Sequence, residues 1–196
     1  MANFAIFGGT FNPFHIGHYE MLSAVCELDY IDKVFVMPDK IPPHKILDYK
    51  IDDLHRQKMC EIVCDDFDKA SLCLLEFERD GKSFTMDTIN ILRDMYPHDR
   101  FFVTIGGDML STLDTWYNWK ELIKLVSFIA FKRRDYTDFS DAYNRLTKLG
   151  ADILIVEKEI TSVSSTQLRK KLDKELLPIN VYNYIVEKGI YNDRNI

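Results

Sequence analysis

The segments FFVTI, residues 101–105, and ILIV, residues 153–156, are almost continuously apolar. A strand with one face in water alternates apolar and polar residues, whereas a parallel strand covered by helices on both faces is apolar throughout. Segments of helical period separate these two runs from four other short strand-like runs. The sequence therefore predicts an α/β fold with a doubly wound, mostly parallel sheet of six strands.

The predicted strands and helices alternate along the chain. Strands are predicted at Asn3–Phe7, Lys33–Met37, Leu72–Glu78, Phe101–Ile105, Ser127–Phe131 and Asp152–Val156. Helices are predicted at His15–Leu28, Asp52–Cys64, Thr85–Tyr96, Asn118–Val126 and Phe139–Leu149.

The last forty residues have a different character. The hydroxyl side chains of Ser164–Thr166 predict the cap of another short helix, and Pro178 separates that helix from a final one. We therefore predict one domain over the whole chain, residues 1–196. Residues 1–160 form its core, and residues 161–196 form a small C-terminal helical appendage.

The composition is typical of a protein that folds on its own. Hydrophobic residues make up 46% of the chain and charged residues 29%, which is too apolar for disorder. The net charge of −6 offers no basic surface for DNA or RNA, and no apolar run approaches the ~20 residues that cross a bilayer. We expect a cytoplasmic protein with neither nucleic acid nor a membrane as its partner, because the N-terminus also lacks a secretory signal.

The four cysteines are predicted to be reduced thiols. Cys26, Cys60, Cys64 and Cys73 contain no CxxC pair. His55 lies one turn before Cys60 on a predicted helix, but the ligand spacing of a zinc site is missing. We therefore predict no metal site built from protein ligands.

The loop after the first predicted strand has the features of a phosphate site. It reads GGTFNPFHIGH, residues 8–18. Gly8 and Gly9 allow backbone to approach a phosphate closely, and the following helix presents free N–H groups and the positive end of its dipole. His15 and His18 lie in the first turn of that helix, so both rings can share one face. This loop is therefore predicted to hold anionic oxygen.

The same loop resembles the signature GG(T/S)FxPxHxGH of the nucleotidyltransferases, which implies a Rossmann-like fold and a site for ATP. By this resemblance, His15 and His18 are catalytic, because they stabilise charge on the phosphates of ATP. The resemblance also implies that the residues of the loop bind ATP, namely Gly8, Gly9, Thr10 and Phe11.

The segment TSVSSTQLR, residues 161–169, resembles a second motif of this family, ISSTxIR. The resemblance implies that Ser164, Ser165, Thr166 and Arg169 bind the phosphate tail of ATP. Hydroxyl groups at the start of a helix add donors to its N–H groups, and a guanidinium matches phosphate oxygens with a planar pair of donors.

Other segments are similar to those of the bacterial nicotinate-nucleotide adenylyltransferases. SFTMDT, residues 83–88, is similar to their S-Y-T-x-D-T segment, which implies that Thr85 contacts the nicotinate carboxylate. GGD, residues 106–108, matches a G-x-D segment, and the resemblance assigns Gly106 and Asp108 to ATP, with Asp108 on the ribose.

Two further matches complete the acceptor side of the resemblance. Trp116 and Tyr117 match an aromatic pair that faces the nicotinate ring. PPHK, residues 42–45, matches a loop that carries a basic residue, here Lys45, into the active site.

One segment departs from the family pattern. The family has Arg-Pro-Gly-Tyr after the fifth strand, whereas this chain has Arg133-Arg134-Asp135-Tyr136. Arg133 keeps the cation that the resemblance assigns to ATP, but the turn lacks the proline and glycine that would set its geometry.

The resemblance implies that the adenylyl group of ATP moves to nicotinate mononucleotide, with Mg²⁺ bound mainly through the ATP phosphates. An ionised phosphate nucleophile needs no general base, so catalysis rests on positioning and charge neutralisation. The alternatives are nicotinamide mononucleotide or pantetheine phosphate as the acceptor, and a non-catalytic nucleotide sensor on the same fold. A dehydrogenase is disfavoured because the loop lacks the GxGxxG spacing. The sequence does not indicate an oligomeric state.

Overall fold

A computed structural model of the chain describes residues 1–43, 51–132 and 139–191. Within these ranges, six strands form one sheet in the order β3-β2-β1-β4-β5-β6. All five pairings are parallel, so the predicted α/β sheet is confirmed and is wholly rather than mostly parallel. The strands are β1 Asn3–Gly9, β2 Lys33–Pro38, β3 Ala70–Leu72, β4 Arg100–Gly106, β5 Ser127–Phe131 and β6 Asp152–Val156.

The helices that the structure describes follow the predicted order, with one addition. They are α1 Ile16–Cys26, α2 Asp53–Cys64, α3 Thr85–Met95, α4 Gly107–Ser111, α5 Trp119–Leu125, α6 Phe139–Lys148, α7 Ser165–Lys170 and α8 Ile179–Lys188. Single 3₁₀ turns lie at Leu113–Thr115 and Lys174–Leu176. The sequence did not predict α4, because a helix of five residues is too short to show a helical period.

The third strand was placed wrongly by the sequence. It was predicted at Leu72–Glu78, whereas β3 covers only Ala70–Leu72 and pairs with β2. The amide of Cys73 still donates to the carbonyl of Val36 at 2.9 Å, after which the chain turns away from the sheet. The residues that follow carry a buried carboxylate, Glu76. The apolar residues of this irregular segment contact the protein interior, although the segment is not a strand.

Side chains from opposite faces of the sheet enter two separate cores. Ala5 and Phe7 of β1 join one core with α1, α2 and α8, whereas Ile6 joins the other core with α3, α5 and α6. Phe102 and Val103 of β4 divide between the two cores in the same way. Because both faces are covered, the central strands have no solvent side, which explains their continuous apolar runs.

The C-terminal helices pack onto the sheet domain. Leu168 of α7 and Val181 and Ile185 of α8 belong to the core that also contains the apolar side of α1. The segment predicted as an appendage therefore supplies part of the core on one face of the sheet.

All four cysteines are free thiols, and Cys60 and Cys64 pack within the core. Burial raises the pKa of Cys64 to about 12 and that of Cys26 to about 11. These thiols therefore stay neutral near pH 7. In the three described ranges, no helix has the length and apolar character needed to cross a membrane.

The side chain of Arg56 ties α2 to the ends of β1 and β2. Only 1% of the residue is exposed, and its Nη1 donates to the Thr10 carbonyl at 2.9 Å and to the Asp39 carboxylate at 3.4 Å. Its Nη2 donates to the Asp53 carboxylate at 2.6 Å, and the guanidinium lies over the ring of Phe77. A guanidinium can be buried only when such partners replace water, so Arg56 holds two strand ends in a set position.

Replacing Arg56 should destabilise the fold strongly. Arg56→Ala leaves the Asp39 carboxylate and the Thr10 carbonyl without their buried partner, which should cost about 3–5 kcal/mol in the free energy of unfolding. Urea unfolding followed by circular dichroism measures this loss. Lys58→Ala is the matched control on the same helix, because the Lys58–Glu61 ion pair is exposed and should leave the midpoint almost unchanged. Equal losses in the two variants would contradict the role given to Arg56.

Candidate active site

A cavity of about 280 Å³ opens at the carboxyl ends of β1, β2 and β4. The chain passes from β1 outward to β3, then returns to place β4 on the other side of β1. The carboxyl ends of β1 and β4 therefore flank the point at which the strand order reverses, where open α/β sheets bind their ligands.

The cavity brings together most of the residues predicted for the site. Its walls include Gly8, Gly9, Thr10, Phe11, His18, Thr85, Gly106, Asp108, Trp116, Tyr117 and Ser165. Among the other predicted residues, His15 is buried beside His18. Ser164 is the N-cap residue of α7, although its side chain makes no cap hydrogen bond, Thr166 lies in the first turn of this helix, and Arg169 lies in its last turn. Lys45 and Arg133 lie outside the described residues. The roles of all these residues in binding or catalysis remain predictions.

The two histidines cap the first turn of α1 reciprocally. The amide of His18 donates to Nδ1 of His15, and the amide of His15 donates to Nδ1 of His18, both at 3.3 Å. The rings stack with their centroids 3.5 Å apart and their planes 12° from parallel. This arrangement is a capping box in which imidazoles replace the usual hydroxyl and carboxylate.

This cap determines where each neutral ring carries its proton. A ring nitrogen that accepts an N–H bond must be unprotonated, so the proton of each neutral imidazole lies on Nε2. Each ring then presents one Nε2–H donor. His18 lines the cavity, and the positive end of the α1 dipole lies at the same place. The first turn of α1 therefore offers directed donors to an anionic oxygen.

Aromatic packing holds the His18 ring in place. Phe11 and Phe14 both contact it edge to face, with centroid distances of 5.1 and 5.4 Å. Phe11 has a left-handed φ of 47°, which a side chain of this size rarely adopts. Its ring is almost fully buried and stacks on Phe14 at 4.7 Å. Burial of the ring offsets the unfavourable backbone conformation.

Gly17, between the two histidines, allows the C-terminal part of the chain to approach α1. A Cβ at this position would lie 2.6 Å from the carbonyl oxygen of Thr161. The hydroxyl and amide of Thr161 in turn donate to the carboxylate of Glu20, one turn further along α1. Only glycine lets the segment before α7 lie this close to the histidine turn.

Asn12 is held by two residues of the C-terminal segment. Nη1 of Arg169 donates to its backbone carbonyl at 2.8 Å, and the hydroxyl of Tyr191 donates to its Oδ1 at 2.5 Å. Nη2 of Arg169 donates to the hydroxyl of Thr166 at 2.9 Å. Arg169 therefore connects α7 to the loop between β1 and α1, a structural role that the motif did not reveal.

The opposite wall of the cavity is formed by the start of α3 and by an aromatic pair. Thr85 is the first residue of α3. The N-cap residue of this helix is Phe84, whose side chain cannot accept a hydrogen bond from the helix amides. The ring of Tyr117 packs on that of Phe84 with a centroid distance of 4.8 Å, and about half of Tyr117 is exposed. Trp116 also lines the cavity and packs against the core under α3.

Five polar residues of the cavity wall were not predicted as site residues: Asp39, Glu76, Ser83, Thr88 and Thr104. Asp39 follows β2 and accepts a hydrogen bond from the hydroxyl of Thr10 at 2.9 Å. The Thr104 hydroxyl is buried without a hydrogen-bond partner among the described residues, a condition that favours a bound ligand or water. Its signal in the sequence was a single polar residue in the apolar run FFVTI.

Glu76 is buried, and this burial raises the pKa of its carboxyl. Hydrogen bonds from the side chains of Ser83 and Thr88 act in the opposite direction, because they stabilise the ionised form. Nothing in the sequence distinguished Glu76 from its acidic neighbours, Glu78 and Asp80.

Comparisons with known proteins agree with this geometry. The model of the cytidylyltransferase-like family matches residues 6–171. The nicotinate-nucleotide adenylyltransferase of Bacillus subtilis is 36% identical over 97% of this chain and 99% of its own length. A probable nicotinate-nucleotide adenylyltransferase of Lactococcus lactis is 35% identical, covering 96% of this chain and 95% of the relative.

Solved structures share the fold at lower sequence identity. Plasmodium falciparum nicotinic acid mononucleotide adenylyltransferase complexed with NaAD has a TM-score of 0.79 and is 20% identical, covering 97% of this chain and 98% of that one. At this identity the likeness concerns the fold alone. Because the family model and the bacterial relatives cover most of its length, the chain belongs to the cytidylyltransferase-like family and, within it, to the nicotinate-nucleotide adenylyltransferases.

Proposed function

We propose that this protein transfers the adenylyl group of ATP to nicotinate mononucleotide, giving nicotinate adenine dinucleotide and pyrophosphate, a step of NAD biosynthesis. The observation that carries the proposal is the pair of stacked histidines at the start of α1, in which each Nδ1 accepts a backbone N–H. The names of the bacterial relatives support the choice of substrates.

The proposed reaction is a displacement at the α-phosphorus of ATP. An oxygen of the acceptor's 5′-phosphate forms a bond to the α-phosphorus, and the bond from this phosphorus to the oxygen bridging to the β-phosphate breaks. Pyrophosphate leaves with that oxygen. Because the attacking phosphate is already ionised near pH 7, no residue has to remove a proton. The protein's contribution is to align the two phosphates and stabilise the charge that develops.

The phosphates of ATP are assigned to the histidine turn. Nε2–H of His18 would donate to an oxygen of the reacting phosphate, and His15 would orient His18 through the stacked rings and the shared cap. Gly8 and Gly9 would bring backbone close to the phosphates. Ser165 lines the same side of the cavity, and Arg169 would act partly by holding the loop through Asn12.

The adenosine and the acceptor are assigned to the remaining walls. Asp108, in the first turn after β4, would accept hydrogen bonds from the ribose hydroxyls of ATP. Trp116 and Tyr117 would stack on the nicotinate ring, and such stacking contributes ~1–3 kcal/mol per base in nucleic-acid complexes. Lys45 and Arg133 lie outside the described residues. Lys45 would place a positive charge beside the acceptor, and Arg133 would place one beside ATP.

The start of α3 favours nicotinate over nicotinamide. Its N-cap residue Phe84 provides no side-chain acceptor, and Phe84 and Thr85 both line the cavity. The positive end of this helix therefore lies at the cavity wall. A carboxylate gains from a helix N-terminus, whereas a neutral carboxamide gains much less.

The cavity fits a magnesium ion that binds mainly to the substrate. No group of three or more metal-binding side chains lies together in the described ranges, but Asp39 and Asp108 line the cavity. Mg²⁺ binds nucleotide phosphates with one or two carboxylates and several waters in such sites. When bound, the ion would neutralise charge on the phosphates, and the Asp39 carboxylate is the candidate to hold it or its waters, because Asp108 is assigned to the ribose.

The choice of acceptor can be tested by comparing substrates. Pyrophosphate release with ATP and Mg²⁺ should be fastest with nicotinate mononucleotide and slower with nicotinamide mononucleotide and with phosphopantetheine, because only the first places a carboxylate at the start of α3. Preference for another acceptor would support the adenylyl transfer but contradict nicotinate mononucleotide as the substrate. No release with any of the three would favour a non-catalytic nucleotide sensor.

The role of His18 can be separated from its role as a helix cap. In His18→Asn, Oδ1 can replace Nδ1 as the acceptor of the cap, but the donor at the Nε2 position is lost. Turnover should fall on the order of 10²–10³-fold, while the thermal midpoint stays close to that of the parent. His98→Asn, at an exposed histidine, is the control and should keep full activity. A folded His18→Asn variant with normal turnover would contradict the proposed role.

A further inference from the structure

One buried serine joins two parts of the cavity wall that lie far apart in the sequence. Ser83 precedes α3 and is 7% exposed. Its Oγ accepts from the amides of Lys40 and Ile41 at 3.0 and 3.3 Å, and its own amide donates to the Ile41 carbonyl at 2.9 Å. Ser83 therefore connects the segment after β2 directly to the start of α3.

The segment of residues 40–43 has no regular secondary structure. Within the described ranges, the hydrogen bonds of Lys40 and Ile41 all go to residues 77–83. The bonds made by backbone atoms of the segment all go to the buried serine, while Nζ of Lys40 donates to the Arg79 carbonyl at 2.8 Å. Because neither a strand nor a helix holds this backbone, its position depends on the serine.

Both of the joined segments reach the cavity. Pro42 and Pro43 line it at one end of the connection, and Phe84 and Thr85, directly after the serine, line it at the other. The ring of Tyr117, which also lines the cavity, packs on that of Phe84 with a centroid distance of 4.8 Å. The connection therefore lies beside the part of the cavity that is assigned to the pyridine end of the acceptor.

We propose that Ser83 is a positioning residue for the acceptor substrate. Its hydroxyl oxygen holds residues 40–43 against the start of α3, so that the two segments form one wall before the acceptor binds. A wall that is already ordered lowers the entropy lost on binding. The inference rests on the proposed function for the identity of the acceptor. Ser83 acts through the backbone of residues 40 and 41 and takes no part in the reaction itself.

The position requires a small side chain that accepts two hydrogen bonds. The two lone pairs of a hydroxyl oxygen can accept both amides at once. Ser83→Ala keeps the backbone bond to the Ile41 carbonyl but leaves the two amides without their acceptor. Ser83→Cys has a similar size and offers only a weak acceptor. The two variants therefore weaken one interaction in graded steps.

This series should weaken binding of the acceptor alone. In Ser83→Ala, the Kd and KM for nicotinate mononucleotide should rise roughly five- to tenfold, the effect of about one net hydrogen bond. The KM for ATP and kcat should stay within about twofold, because an interaction that serves substrate and transition state equally changes KM only. Ser83→Cys should fall between Ser83→Ala and the parent. Calorimetry, with an ATP analogue that cannot transfer its adenylyl group, gives the Kd, and pyrophosphate release gives the kinetic constants.

Ser23→Ala is the matched control, because it removes a serine hydroxyl from a surface hydrogen bond, to the Glu27 carboxylate at 2.8 Å. It should leave every constant unchanged. An unchanged acceptor Kd in folded Ser83→Ala would overturn the proposal. An equal loss of ATP binding would also overturn it, because a general loosening of the fold affects both substrates. A parent that binds the acceptor without turnover would count against the proposed function alone, since the Kd values still test Ser83.

Hydrogen exchange tests the connection without any substrate. The amide at position 83 keeps its acceptor, the Ile41 carbonyl, in Ser83→Ala. After correction for intrinsic rates, this amide should exchange at least about fivefold faster in Ser83→Ala than in the parent and in Ser23→Ala, because the carbonyl belongs to the loosened segment. Exchange at position 83 as slow as in the parent would overturn the proposal, because the segment would then keep its place without the hydroxyl.

Discussion

The reciprocal hydrogen bonds between His15 and His18 are the interaction on which the rest of the site depends. They begin α1, stack the two rings, and direct both Nε2 protons away from the helix backbone. Gly17 between them admits the Thr161 carbonyl, which no other residue would allow. A single helical turn therefore sets the positions of both imidazoles and also the place where the segment before α7 meets α1.

Two buried charged groups set the cavity walls around this turn. Arg56 holds the ends of β1 and β2 from one side, and Glu76, in the segment after β3, accepts from the Thr88 hydroxyl of α3 on the other. Burial of either charge is favourable only when its hydrogen-bonding capacity is filled. Since their partners lie on different elements, each charged group makes the position of one element depend on another.

The part of the site that was predictable lies within short contiguous segments. The loop of residues 8–18 and the SSTQLR segment both lead into a helix, and the free N–H groups and the dipole of a helix start act over only a few positions. Asp39 and Glu76 were missed because the partners of their side chains lie elsewhere along the chain. Thr104 was missed because one polar residue in an apolar run forms no pattern. The third strand was misplaced for a related reason: the apolar residues of 72–78 contact the interior without a strand partner beyond Cys73.

The sequence by itself determined the α/β class, the order of the elements and the start of α1 after the loop of residues 8–18, because hydrophobic period and helix-capping chemistry are local properties. Only the tertiary structure decided that β1 lies beside β4, that Arg169 and Tyr191 meet at Asn12, and that Thr88 donates to Glu76. These contacts form when separate apolar faces are buried against one sheet, and the distances between distant segments are set by that packing.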